Sequence, residues 1–327
     1  VDQAVSAAAT VLGGNFKGVA NGVLRNALRQ AVDLNKAADA DMVSEFRHPA
    51  WWIRRIRTQY PDNWRSILAA GNTHPPMALR INPLRATRDE TLESFAEAEL
   101  PVRVLPNGAL LLERPVPVAR IPGFVEGCVS VQDAGAQYAA LHLDLADGQR
   151  VLDACAARGG KTAHILESAD VMLTALDTDP ARARRVSENL DRLGLKANVK
   201  TADCRDLNRW WNGRPFDRIL ADVPCSASGV VRRNPDIKWL RRSDDIARFA
   251  AQQKEILEAL WQVLAPGGKM LYVTCSVFAE ENREQIAGFA ARHPDCRCLS
   301  IADQPDCQYL PCADHDGFFY SLLEKTP

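Results

Sequence analysis

The first third of the chain shows helical patterns followed by a mixed one. Between Val19 and Val32, apolar residues recur at helical spacing, which predicts a helix over residues 1–34. The polar and acidic residues 35–45 predict a linker after this helix. A small α+β module is predicted next, with a helical stretch over 49–70, a strand over 77–82, a helix over 91–100 and short strands over 102–105 and 110–112.

From about residue 130 the pattern becomes a regular alternation of strands and helices. Strands are predicted over 150–155, 172–177, 199–203, 216–223, 269–277 and 317–324, and helices over 160–168, 180–193, 244–264 and 280–292. Strands that alternate with helices of this length favour an α/β fold with a mostly parallel, doubly wound sheet. Ligands of such sheets bind outside the carboxyl ends of the strands, so the strand ends are the places to look for chemistry.

The bulk composition narrows the class of protein without identifying it. The 327 residues include 25% charged and 46% hydrophobic residues, and the formal net charge is -1, so a nucleic-acid-binding surface would have to be locally basic. No apolar run approaches the roughly 20 residues of a membrane span, and the first residues do not resemble a secretory signal, which predicts a soluble, cytoplasmic protein. The nine cysteines form no CxxC pair or Cys/His cluster, which favours free thiols without a metal.

A turn of small residues follows the first strand of the alternating region. Residues 153–162 end this strand, pass through Gly159 and Gly160, and open a helix whose N-terminus favours anionic groups. The turn lacks the glycine pattern of a dinucleotide site or a P-loop. Asp177 ends the second strand, where nucleotide-binding folds place a carboxylate against ribose hydroxyls, and Asp203 ends the third, within reach of an adenine amino group. Strand-end carboxylates beside such a turn predict an adenosyl ligand.

Two cysteines lie at the ends of neighbouring predicted strands. Cys225 stands in a Pro-Cys-Ser sequence three residues after Asp222, and Cys275 stands in a Thr-Cys-Ser sequence. A buried thiol is usually an inert, small apolar side chain. Two thiols on the ligand-binding edge of a sheet, one of them close to an aspartate, fit that interpretation poorly and predict a reactive site.

These motifs resemble those of the Nop/Sun family of RNA cytosine-5 methyltransferases, and the resemblance covers nearly the whole chain. The paired Pro-Cys-Ser and Thr-Cys-Ser elements are its most specific part, whereas the nucleotide-site carboxylates are shared with most methyltransferases. The matching segments are Val131–Gln137, Asp153–Thr162, Asp222–Ser226, Arg232–Trp239, Thr274–Ser276 and Asp316–Phe319.

The resemblance implies a domain organisation and a cofactor. A Rossmann-like, S-adenosylmethionine-dependent methyltransferase domain is expected over residues 126–327, preceded by a small α+β subdomain over 46–125. Residues 1–34 are similar to the end of the helical, NusB-like RNA-binding domain of the family's bacterial members, which implies that this part is the remnant of a larger domain. The expected substrate is RNA, by resemblance bacterial 16S ribosomal RNA, and the expected enzyme is a cytoplasmic monomer.

The resemblance also implies the roles of individual residues. Cys275 would be the nucleophile that attacks carbon 6 of the cytosine, and Cys225 would assist its later release. Asp222 would hydrogen-bond the edge of the base, with Lys161 as its electrostatic partner. The cofactor would lie against Cys155, Ala156, Ala157, Arg158, Gly159, Gly160, Lys161, Asp177, Asp203 and Asp222.

A basic run with an interleaved tryptophan follows Cys225. Arg232, Arg233, Lys238 and Trp239 are predicted to hold RNA phosphates and to stack a base. One departure from the family lies in the cofactor turn, where Arg158 replaces the usual proline. Proline fixes φ and removes an N–H group, whereas arginine adds charge and bulk, so the affinity for the cofactor is open.

Three other functions stay open at this point. A dinucleotide-binding oxidoreductase would share the fold class, although the missing Gly-x-Gly-x-x-Gly sequence and the cysteine pair count against it. A non-catalytic RNA-binding protein of ribosome assembly would account for Arg158 as a sign of lost activity. An enzyme of the same chemistry could act on transfer RNA instead.

Overall fold

The computed structural model of the chain consists of two compact units, Val1–Ile53 and Arg54–Pro327. It describes residues 1–11, 14, 16–156, 158–304 and 306–327.

The first unit is helical. It contains α1 (Asp2–Val11), α2 (Lys17–Arg29), α3 (Ala31–Asp39), α4 (Met42–Phe46) and the beginning of α5 (Ala50–Gln59). The linker predicted over 35–45 is wrong, because α3 continues into it and α4 begins within it, where the Asp41 carboxylate caps the helix by accepting the N–H of Ser44 at 2.9 Å. The apolar face predicted for this region is open to solvent, with Val19 61% and Val32 80% exposed.

A small antiparallel sheet opens the second unit. Its elements are α6 (Trp64–Ala70), β1 (Met77–Ile81), α7 (Arg88–Glu97), β2 (Val102–Val104), β3 (Leu110–Leu112), a 3₁₀ turn (Val118–Arg120) and β4 (Val129–Val131). The strand order is β2-β3-β1-β4, and every pair is antiparallel. Leu79, Phe95 and Leu110 are fully buried between the sheet and α7, and burial of each contributes about 1.5–3 kcal/mol. The predicted α+β module is therefore present.

The larger sheet occupies most of the second unit. Its strands are β5 (Arg150–Asp153), β6 (Met172–Asp177), β7 (Asn198–Thr201), β8 (Phe216–Asp222), β9 (Leu264–Thr274), β10 (Cys296–Leu299), β11 (Cys307–Tyr309) and β12 (Phe318–Lys325). The helices are α8 (Ala134–His142), α9 (Gly160–Ser168), α10 (Pro180–Leu193), α11 (Leu207–Trp210), α12 (Ile237–Leu240), α13 (Asp245–Val263) and α14 (Arg283–Arg292), with a 3₁₀ turn at Ala279–Glu281.

The strand order places a topological switch point at the centre of this sheet. The order is β10-β12-β9-β8-β5-β6-β7, with β11 paired to β12. The five strands from β9 to β7 are parallel, β12 runs antiparallel to them, and β10 and β11 each pair antiparallel with β12. The α/β fold with a mostly parallel, doubly wound sheet is confirmed. Because the chain order reverses at β5 and β8, the carboxyl ends of these two strands flank the crevice where such sheets bind ligands.

The sequence pattern located most elements of this sheet but not all. The bounds of α9, β6 and α10 agree with the prediction, whereas β7 ends at Thr201, two residues before Asp203. Helix α8 was not predicted, because six of its nine residues are buried, so its sequence shows no regular polar face. In the described part of the chain, no helix is both long and apolar enough to cross a membrane.

Candidate active site

A cavity of about 530 Å³ lies at the carboxyl ends of β5, β6, β8 and β9. It is lined by Ala154, Cys155, Asp177, Thr178, Arg182, Asp203, Cys204, Arg205, Asp222, Val223, Pro224, Cys225, Ala227, Gln252, Ile256 and Cys275. Both predicted reactive thiols and three predicted carboxylates therefore share one cavity. The parallel strands explain this, because their carboxyl ends meet at one edge of the sheet.

A charged pair stands on the rim of this cavity. Lys161, at the start of α9, places its Nζ 2.6 Å from Oδ2 of Asp222, the last residue of β8. Burial opposes the charge on Lys161, but the neighbouring Asp222 carboxylate prevails and raises the pKa of the ammonium group, so Lys161 is protonated at neutral pH. The pairing that the family resemblance implied for these two residues is present.

The two thiols are in contact. Cys225 Sγ and Cys275 Sγ lie 3.4 Å apart, close enough for one thiol to donate a hydrogen bond to the other. The hydrogen bond with Cys275 and the burial of the group raise the pKa of Cys225 well above its ordinary value. Cys225 is thus held as a thiol, which carries a proton that it can give or share.

The predicted nucleotide-site carboxylates have distinct local surroundings. Asp177 Oδ1 accepts the backbone N–H of Asp179 at 2.9 Å, and Asp179 caps α10 by accepting the N–H of Ala181, as the sequence indicated. Asp203 forms an ion pair with Arg205 at 2.7 Å, and this bond lowers the pKa of Asp203. Asp203 is therefore ionised, and the pair presents both charges at the cavity.

Among its described residues, the small-residue turn lines the cavity with Ala154 and Cys155. Of the residues expected to touch the cofactor there, Cys155 lines the cavity, whereas Ala156, Gly159, Gly160 and Lys161 do not. Gly159 has φ +78°, and a Cβ at this position would lie 3.1 Å from the Cα of Val186, so the turn requires glycine for both reasons. Ala157 lies outside the described residues.

Arg158, which replaces the family's proline, is an exposed residue and does not line the cavity either. The replacement of proline by arginine therefore does not change the residues that line the cavity. The expectation that it contacts the cofactor has no support in this geometry.

The basic run after Cys225 is largely structural, which corrects the prediction for two of its residues. Arg232 is buried, and its Nε lies 2.5 Å from Oδ1 of the fully buried Asp316. Lys238 is also buried, and its Nζ donates to Oδ1 of Asn72 at 2.7 Å. In this structure neither side chain can reach RNA phosphates, because both are already used inside the protein.

Other parts of the same run remain accessible. Arg233 binds Asp133 at 2.8 Å and also Asp316, with about a third of its side chain exposed. Trp239 is 57% exposed, and Arg242 is exposed as well. The run is connected to the loop of Cys225, because Arg241 Nε donates a hydrogen bond to the backbone carbonyl of Ser226 at 3.2 Å.

Sequence reasoning missed several residues of the site. Cys204 and Arg205 line the cavity directly after Asp203, and their positions next to a predicted strand end were the signal available. Asp133 and Asp316 hold the basic run, and both lie in segments that matched the family without an assigned role. Glu281 accepts hydrogen bonds from Ser226 and Ser276, the residues that follow the two cysteines. The sequence feature that could have identified it is its position as an acidic residue shortly after Thr-Cys-Ser.

Comparison with known proteins adds sequence evidence to this geometry. A family model described as 16S rRNA methyltransferase RsmB/F matches residues 140–324, and one for the RsmF/B-like ferredoxin-like domain matches residues 48–119. The chain is 45% identical over 330 residues to the ribosomal RNA small subunit methyltransferase B of Vibrio cholerae serotype O1, covering 99% of this chain and 76% of that protein.

Solved structures show the same fold. The crystal structure of PH0851 has a TM-score of 0.82 and 29% identity, covering 87% of this chain and 68% of the other. A methyltransferase homologue from Pyrococcus horikoshii has a TM-score of 0.77 and 25% identity, covering 86% of this chain and 97% of the other.

Proposed function

Since the chain belongs to the 16S rRNA methyltransferase RsmB/F family, we propose that it methylates carbon 5 of one specific cytosine in 16S ribosomal RNA, through a covalent bond between Cys275 and carbon 6. The chain is an S-adenosylmethionine-dependent methyltransferase with a Rossmann-like fold. The single observation that carries the covalent proposal is the 3.4 Å contact between the two thiols beside the Lys161–Asp222 pair.

The residues of the cavity fit the cofactor. A volume of about 530 Å³ lies within the roughly 300–1,000 Å³ of small-molecule sites. Asp177 and Asp203 open onto it from consecutive strand ends, as the ribose hydroxyls and the adenine amino group require. When bound, S-adenosylmethionine supplies an electrophilic methyl group.

The first step activates the base. Carbon 5 of cytosine is a poor nucleophile, and attack by the Cys275 thiolate at carbon 6 converts the ring to an enamine-like species that can take a methyl group. Asp222 hydrogen-bonds the edge of the base, and the Lys161 ammonium, 2.6 Å from that carboxylate, stabilises negative charge as it builds on the ring. The target base has to leave its stack to reach the cavity.

The second step restores the aromatic ring. After the methyl group has been transferred, the proton on carbon 5 leaves and the bond between carbon 6 and Cys275 breaks. Cys225 lies 3.4 Å from the departing sulfur and is placed to assist this release. Two thiols in contact therefore divide attack and release between them.

The RNA surface is proposed from the exposed part of the basic run. Trp239 offers an aromatic face for a base, Arg242 offers a charge for a phosphate, and Arg233 keeps partial access. Arg241 connects this stretch to Ser226, so RNA bound there would be close to the cavity. We further propose that the enzyme is monomeric and that the domain bounds are 1–34, 46–125 and 126–327.

Bisulfite sequencing of ribosomal and transfer RNA, from cells with and without this protein, tests the substrate. One cytosine of 16S ribosomal RNA should lose its protection when the protein is absent and regain it with the wild-type gene, but not with Cys275→Ala. Loss of protection in a transfer RNA alone would move the substrate to that class. Unchanged protection in both RNAs would favour the non-catalytic role in ribosome assembly.

A further inference from the structure

A buried carboxylate is hydrogen-bonded to the two loops that carry Cys225 and Cys275. Glu281, at the end of the 3₁₀ turn that follows Cys275, is fully buried. Its Oε1 accepts the backbone N–H of Ser226 at 2.7 Å, and its Oε2 accepts the hydroxyl groups of Ser226 at 2.5 Å and Ser276 at 2.6 Å. Burial raises the pKa of Glu281, whereas the hydrogen bonds from Ser226, Ser276 and Gln253 oppose that rise and favour the ionised carboxylate.

The two serines directly follow the two cysteines in the sequence. One carboxylate therefore ties the loop of Cys225 to the loop of Cys275. Ser228 strengthens the tie, because its hydroxyl lies 2.9 Å from that of Ser276. With both loops fixed to Glu281, the sulfurs of Cys225 and Cys275 are held in contact without a bond between them.

The same carboxylate also makes the electrostatic surroundings of the two thiols unequal. Its negative charge contributes to the raised pKa of Cys225, after the hydrogen bond with Cys275 and burial. Lys161 acts on the other thiol, because the electrostatic interaction between Lys161 and Cys275 favours the ammonium ion. A thiolate at Cys275 thus faces a cation, whereas a thiolate at Cys225 would face a carboxylate.

Two further groups lie close to the Cys225 loop. Tyr272 on β9 has a raised pKa, caused first by its burial and then by the charge of Glu281, so its hydroxyl is neutral. That hydroxyl donates to the backbone carbonyl of Glu281 at 2.6 Å. Arg241 binds the carbonyl of Ser226 and is the cation on the side of Cys225. Glu281 contributes to the raised pKa of Cys225.

We infer that Glu281 is a positioning residue that holds Cys225 and Cys275 in contact through Ser226 and Ser276, and that its buried charge keeps the proton on Cys225 until Cys275 is released. This inference rests on the proposed covalent mechanism.

At release, water accepts the carbon 5 proton and the C–H electrons form the C5=C6 double bond. The C6–S bond breaks, its electron pair stays on Cys275, and Cys225 gives its proton to that sulfur before regaining one from solvent.

The test compares Glu281→Gln with Glu284→Gln, an identical chemical change at an exposed position of α14. Measured for each are the thermal unfolding, the affinity for S-adenosylmethionine by calorimetry, and the rate of release of a trapped protein–RNA adduct as a function of pH. Release needs the thiol form of Cys225, so the release rate falls as the pH rises through the pKa of Cys225. Removing a nearby negative charge lowers a thiol pKa, so the fall should begin at a lower pH in Glu281→Gln than in wild type.

The expected result is release slowed about tenfold or more in Glu281→Gln, as expected for impaired acid–base assistance, with cofactor affinity unchanged within about twofold. Glu284→Gln should behave as wild type. The inference is overturned if the pH profile of Glu281→Gln matches wild type, or if its rate and cofactor affinity fall in proportion, since either result shows a purely structural role.

A second variant keeps the inference testable if Glu281→Gln does not fold. Ser276→Ala removes the tie to the Cys275 loop but keeps the charge, so it should slow methylation without moving the pH profile. Wild-type rates in Ser276→Ala would overturn the positioning role. Failure of the covalent mechanism itself would look different. In that case Cys275→Ala would stay active, and no variant, including Cys225→Ala, would yield an adduct.

Discussion

The contact between the two thiols predicts that their removal produces opposite results. In Cys275→Ala no thiolate can attack carbon 6, so methylation and adduct should both disappear. In Cys225→Ala the nucleophile and the Lys161–Asp222 pair are intact, so attack and methyl transfer should proceed, but the thiol 3.4 Å from the departing sulfur is gone. The variant should therefore remain covalently attached to its RNA.

The size of the effect follows from the kind of assistance that is lost. General acid–base catalysis by a positioned side chain contributes about 10²–10⁴-fold to a rate. At about 1.36 kcal/mol for each factor of ten, removal of Cys225 should raise the barrier to release by roughly 2.7–5.4 kcal/mol. Because the pKa of Cys225 is raised well above its ordinary value, wild type keeps this thiol through neutral pH, and the difference between the enzymes should be present there.

The assay is denaturing electrophoresis of enzyme incubated with labelled RNA and S-adenosylmethionine, with a digestion that separates methylated from unmethylated cytosine in the adduct. Cys225→Ala should give a slow-migrating band whose RNA carries the methyl group, and wild type should give little. A band in Cys275→Ala but not in Cys225→Ala would reverse the two roles. If Cys225→Ala and Cys275→Ala both methylate RNA and neither gives an adduct band, the covalent mechanism is refuted.

Three further predictions test the surroundings of the thiols. Asp177→Ala should weaken S-adenosylmethionine binding by about 1.5–3 kcal/mol, the value of a hydrogen bond to a charged group, and an unchanged calorimetric affinity would contradict the placement of the ribose. Arg158→Pro should preserve or tighten this binding, because Arg158 does not line the cavity and proline reduces the conformational freedom of the unbound turn, an effect worth about 0.4–1 kcal/mol. A clear loss of affinity would show that the arginine itself favours binding. Trp239→Ala should weaken RNA binding by the roughly 1–3 kcal/mol of one stacked base, at unchanged stability. Arg232→Ala should lower the free energy of unfolding by about 3–5 kcal/mol, because it removes one of the two guanidinium partners of the buried Asp316. If RNA-binding and denaturation measurements give the opposite assignment, Arg232 rather than Trp239 contacts RNA.

The sequence alone determined the fold class and which side chains meet at one edge of the sheet. Alternating strands and helices specify a parallel sheet, and parallel strands bring their carboxyl ends to one edge, so residues far apart in sequence could be placed together from the pattern. Asp177, Asp222, Cys225 and Cys275 were found in this way, and all four line one cavity. The resemblance to a family supplied their roles, which no periodicity contains.

Only the tertiary structure decided which charges are available to a ligand. Arg232 and Trp239 belong to one basic run and look equally accessible in the sequence, yet one is buried against Asp316, 84 residues later, and the other is exposed. Glu281 is likewise one of two adjacent glutamates, and only folding shows that it is the buried one, holding two serines that lie 50 residues apart. The reason is physical, because a local pattern records which face of an element is apolar, whereas the partner of a buried charge is set by contacts between elements that are distant in the chain.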